Sequence, residues 1–132
     1  FPAEAVARAR AAGLEGRIFH EFAWGGYLLH AWPEQPVFID GQTDLYGEEL
    51  ARQYLQVATL APGWRAVLDE WRIALVLVPT RSRLAAELAR DGAWSVWHCD
   101  ETAVLFRRQD GAAPAAGRCP SGADGCPCQG GR

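Results

Sequence analysis

The sequence predicts an α/β fold: a mainly parallel sheet with helices packed on it, ending in an antiparallel β-hairpin. Three observations carry that expectation. Apolar runs of strand length recur along the chain, in "GRIFHE", "PVFID" and "IALVLVP". Segments with apolar residues at helical spacing separate them, an alternation that favours parallel strands with helices on the sheet faces. The last two apolar runs, "WSVWHC" and "TAVLFRR", flank Asp100-Glu101 with no room for a helix, so they read as a hairpin.

Each element has a local reason. "FPAEAVARARAAGL" places Pro2 at a first helical position, Glu4 in the first turn and Gly13 where a helix stops, and predicts a short helix. "GRIFHE" is then a strand, and "WGGYLLHAW" a helix closed by Pro33. "PVFID" is a second strand, apolar on both faces as in a covered sheet, with Asp40 at its end. Leu50, Tyr54, Val57 and Ala58 make one stripe of an amphipathic helix; Trp64, Val67, Leu68 and Trp71 make another, and Pro62-Gly63 breaks the two apart. "IALVLVP" is the strongest strand. Ser82 is placed to cap the helix "RLAAELAR", which Asp91-Gly92 ends. Asp-Glu is not favoured chemistry for a two-residue hairpin turn, which leaves room for a longer one.

A chain of 132 residues accommodates one domain of ordinary size. Residues 1–109 read as a soluble α/β domain. Residues 110–132, rich in Gly, Ala, Pro and Cys and poor in large apolar side chains, read as a disordered tail. A formal charge of −3 with no basic stripe argues against a nucleic-acid partner. No apolar run approaches the roughly 20 residues that cross a bilayer. An opening at Phe1 with no methionine anywhere is expected of a fragment of a longer protein. Cys119, Cys126 and Cys128 sit in the tail at spacings that suit neither a redox CxxC nor a zinc knuckle, so no metal or cofactor is expected.

The unusual polar groups fall at strand ends, where ligands bind in open parallel sheets. Glu21 follows the first strand, Asp40 ends the second, Asp44 lies in the next loop and Arg81 follows the third. Two readings stand side by side: an acidic cluster for work on a sugar or a cation, or carboxylates that cap turns and helices. The glycines of "WGGY" lack a dinucleotide or P-loop pattern and are expected to allow close helix-to-strand packing. The tryptophans fall mostly on core positions. No GxSxG elbow or HExxH occurs.

Two motifs go further. "HEFAWGGYL" supplies Glu21, Trp24, Gly25, Gly26, Tyr27 and Leu28, and "FIDGQTDLY" supplies Phe38, Ile39, Asp40, Gly41, Asp44 and Tyr46. With these, residues 1–108 resemble the soluble C-terminal domain of multi-spanning bacterial membrane proteins of the GT-C glycosyltransferase, mannosyltransferase-like, type. His20 stands where that family tends to have Asn, and Gln42 where it tends to have Arg, which removes a cation beside the acidic cluster. The resemblance implies a membrane-attached domain on the extracytoplasmic, periplasmic side, partnered by its own upstream transmembrane part and by a lipid-linked sugar or glycan acceptor. It implies no catalysis by this piece alone, with Glu21, Trp24, Tyr27, Asp40, Asp44, Tyr46 and Arg81 as candidate binding residues. A free-standing carboxylate-dependent sugar hydrolase and a protein-interaction module are the alternatives.

Overall fold

The computed structural model describes residues 1–35 and 47–109. In chain order the elements are α1 (Ala3–Ala12), β1 (Arg17–His20), a 3-10 turn (Phe22–Trp24), α2 (Gly25–Ala31), α3 (Gly47–Ala58), α4 (Trp64–Glu70), β2 (Ile73–Pro79), α5 (Arg83–Ala89), β3 (Trp94–Cys99) and β4 (Ala103–Arg108). Pro2 sits one position earlier than its sequence implies, as the residue before α1. Gly13 ends that helix in the left-handed conformation (φ 72°), and its amide reaches back to the Ala9 and Arg10 carbonyls. The Ser82 side chain caps α5 by accepting from the Ala85 amide at 3.1 Å. The strand expected at "PVFID" lies outside the described residues, as does the tail.

Among the described residues four strands form one mixed sheet in the order β1-β2-β4-β3. The fold is α/β, but the sheet is not mainly parallel: β1 and β2 are the one parallel pair of neighbours, and β4 runs antiparallel to both β2 and β3. The reason lies in the two arms of the hairpin. Ala103 to Phe106 are all buried, whereas Ser95, Val96 and Trp97 are half exposed. The arm that is apolar on both faces therefore takes the interior position, and its partner becomes the outer strand.

Side chains alternate between two cores. On one face Phe19, Val76, Val78, Val104 and Phe106 pack against Val57 of α3, Trp64 and Leu68 of α4, and Leu84 and Leu88 of α5. On the other, Ile18, Leu75, Leu77 and Leu105 pack against Ala5, Val6 and Ala9 of α1, Trp24, and Leu28 of α2. All six tryptophans belong to these clusters or pack directly on them. No helix among the described residues is long and apolar enough to cross a membrane.

Of the two glycines of "WGGY", Gly25 is buried and Gly26 makes no close approach; the tight contact lies at Gly16. A side chain on Gly26 would meet nothing within 4 Å, whereas a Cβ on Gly16 would stand 2.6 Å from the Cβ of Ala74. Gly16 also has φ 121°, a conformation open to glycine alone. Between Arg17 and Ile18 the β1–β2 register shifts, leaving Ala74 as the extra residue that Gly16 must accommodate.

Candidate functional site

Because β1 and β2 run parallel, their carboxyl ends lie side by side, and the Glu21 amide extends the ladder by donating to the Leu77 carbonyl at 3.1 Å. The antiparallel hairpin brings the end of β3 and the start of β4 to the same edge. Glu21, Thr80, Arg81, His98 and Asp100 therefore share one rim of the sheet. His20 and His98 lie in one cross-strand row, separated by Leu77 and Leu105, so about 14 Å of sheet divides the two rings.

The corner after β1 is built from its own backbone. The Glu21 carbonyl accepts from the Trp24 amide at 2.9 Å and lies 2.8 Å from His20 Nδ1. A carbonyl can only accept, so His20 Nδ1 carries its proton toward it. The His20 ring is fully buried. The next amide, of Phe22, donates to Tyr54 Oη at 3.0 Å. Tyr54 arrives from α3 with its ring stacked on Phe19, centroids 5.2 Å apart. Burial and then the Glu21 charge push the phenol up, against the opposing pull of the Phe22 amide. Tyr54 therefore stays neutral, and the rim offers a phenol hydroxyl beside a half-exposed carboxylate.

The other end of the rim is tied into the hairpin. Asp100 accepts the amides of Thr102 (2.8 Å) and Ala103 (2.9 Å) on one oxygen and His98 Nε2 (2.8 Å) on the other. Its carbonyl accepts from Thr80 Oγ1 at 2.6 Å. Burial works against ionisation of Asp100, yet the Ala103 amide, His98 and the Thr102 amide hold its carboxyl below the usual carboxylate range. An Asx-type turn thus replaces the Asn-Gly chemistry that this hairpin lacks. Both carboxylate oxygens are engaged in holding the turn. Cys99 beside them is buried and disulfide-bonded.

Of the residues singled out from the sequence, Glu21 and Arg81 stand on this rim. Arg81 is exposed in the turn before α5 and makes no ion pair among the described residues. Trp24 is buried in the α1–α2 core, and Tyr27 stacks on Phe1 (4.9 Å) away from the rim. Asp40, Asp44 and Tyr46 lie outside the described residues. Among the described residues, no three His, Cys, Asp or Glu side chains converge in a way that could hold a metal ion. Sequence reasoning missed Tyr54, because its place on an apolar stripe hid the hydroxyl; a buried tyrosine needs a polar partner, and that need was the available signal. Comparison with protein-family models, curated proteins and solved structures found no match.

Proposed function

We propose that this chain is the extracytoplasmic C-terminal domain of a multi-spanning, glycosyltransferase-like membrane protein. In this reading it serves structure or glycan and acceptor recognition and is not a catalyst by itself. The observation that carries the reading is how the first motif divides its residues. Trp24 and Leu28 anchor α2 in the core, which leaves Glu21 at the strand end beside the neutral phenol of Tyr54. A carboxylate and a hydroxyl side by side supply the acceptor and donor that sugar hydroxyls need, on a rigid strand end. The disulfide at Cys99 supports an oxidising compartment, as an extracytoplasmic location would provide. Arg81 extends the same working face in this proposal.

The test is a titration of the isotopically labelled chain with neutral oligosaccharides and with a short-chain polyprenyl-phosphate sugar. Resonances of Glu21, Phe22, Tyr54 and Arg81 are expected to shift together, and Glu21→Gln and Tyr54→Phe to weaken the response. A glycoside panel run in parallel separates the rival. Hydrolysis by the purified chain that disappears in Asp40→Asn would replace this proposal with a sugar hydrolase.

A further inference from the structure

A second polar surface lies at the opposite end of the sheet, where β2 begins and β4 finishes. Here a cleft of about 490 Å³ is lined by Glu15, Asp69, Arg72, Arg107 and Arg108, with Ile73 and Ala74 at its floor. The three arginines are not equivalent. Arg108 is engaged through all three nitrogens: Nε donates to the Ile73 carbonyl (2.8 Å), Nη1 to Asp69 Oδ1 (3.0 Å), Nη2 to the Leu68 carbonyl (3.4 Å), and the guanidinium lies over the Trp94 ring. It is a fixed wall and it neutralises Asp69. Arg72 and Arg107 are exposed and make no ion pair among the described residues, so with Glu15 they leave the cleft with a net positive charge.

Arg72 has a second peculiarity. It follows Trp71, the C-cap of α4, in the left-handed conformation, φ 55°, at the position where helices usually end on glycine. A long cationic side chain held on a backbone that glycine would adopt without strain is the kind of outlier from which a functional hypothesis can start. Arg107 pairs with Leu75 on the neighbouring strand. Arg72 thus starts about 10 Å along the sheet from Arg107, a span that two arginine side chains can close from both sides on one anion.

We propose that this cleft binds a phosphate group, gripped by Arg72 and Arg107. Two guanidinium forks, one from the turn before β2 and one from β4, can engage separate oxygens of a tetrahedral anion, which is the geometry that arginine serves best. The volume suits a small phosphoester or the headgroup of an anionic lipid. The site is independent of the reading above, since it lies at the other end of the strands from Glu21.

The full 132-residue chain, isotopically labelled, is titrated with inorganic phosphate and with glycerol 1-phosphate, against sodium chloride at equal ionic strength. Saturable shifts at Arg72, Ala74 and Arg107 are expected. Arg72→Gly, which suits the left-handed backbone and so preserves the fold, should weaken binding about tenfold, and Arg107→Gln similarly. Sedimentation with phosphatidylglycerol but not phosphatidylcholine vesicles, lost in Arg72→Gly, assigns the phosphate to a lipid headgroup. Binding of glycerol 1-phosphate without vesicle binding assigns it to a soluble phosphoester. Shifts reproduced by chloride, shifts unchanged in both variants, or no response to any probe would overturn the site.

Discussion

Replacing Gly16 by alanine should be among the most damaging one-carbon changes in the molecule, and its size can be worked from two terms. The new Cβ would stand 2.6 Å from the Cβ of Ala74, an atom fixed to the β2 backbone that cannot rotate away. Relief requires the β1–β2 pair to separate at the register shift, an overpacking cost of about 1–3 kcal/mol. A φ of 121° adds backbone strain of about 1–3 kcal/mol for any residue with a Cβ. Together these give about 2–6 kcal/mol, a large part of the roughly 5–15 kcal/mol that holds a typical domain. The Gln35 side chain, which donates to the Gly16 carbonyl at 2.6 Å, would be displaced as well. The internal control is Gly26→Ala. Gly26 is exposed on α2 with open space at its Cβ position, so alanine there should stabilise by about 0.5–1 kcal/mol. Urea unfolding of both variants measures the difference. If Gly16→Ala stays within about 0.5 kcal/mol of the parent, the close approach of β1 to β2 is wrong.

Ser82→Ala removes the cap on the Ala85 amide and should cost about 1 kcal/mol in the same assay. Asp100→Ala leaves the Thr102 and Ala103 amides and His98 without their acceptor and should cost about 1–3 kcal/mol; Asp100→Asn, which keeps a carbonyl oxygen for the turn, should cost less. The folded-state carboxyls of Asp91 and Asp100 both lie below their unfolded value, so the unfolded chain binds more protons as the pH drops. Their stabilisation is full above the unfolded value near about pH 4 and is lost as pH falls through the folded values, so urea midpoints should decline below that point and decline less steeply in Asp91→Asn/Asp100→Asn. Tyr54→Phe keeps the stack on Phe19 but strips the Phe22 amide of its acceptor. About 0.5–1.5 kcal/mol should be lost, with amide exchange at Phe22 accelerated.

Much of the local structure was legible because its signals are local. The helical stripes of α3 and α4, the glycine stop after α1 and the Ser82 cap each depend on residues a few positions apart, and each appears where the spacing puts it. Strand order depends on partners far apart in sequence. "TAVLFRR" announced a strand but not that its doubly apolar arm would enter the sheet between β2 and β3. Gly16 was invisible for the same reason: its constraint is the Cβ of Ala74, 58 positions away. The rim was half legible. Glu21 and Arg81 could be placed from the ends of their strands, whereas Tyr54 reaches the corner from a helix whose periodicity spoke only of its ring. His98 and Asp100 belong to a turn whose chemistry is carried by a side chain and not by the usual turn residues.

The central proposal, that this domain is the extracytoplasmic end of a membrane glycosyltransferase-like protein, is tested most directly by reading the gene upstream of Phe1 and counting apolar stretches of membrane-spanning length. Multiple stretches of about 20 apolar residues each are expected, with the last leading into Phe1 on the outer side. A start codon just before Phe1, with no such stretch, would contradict it.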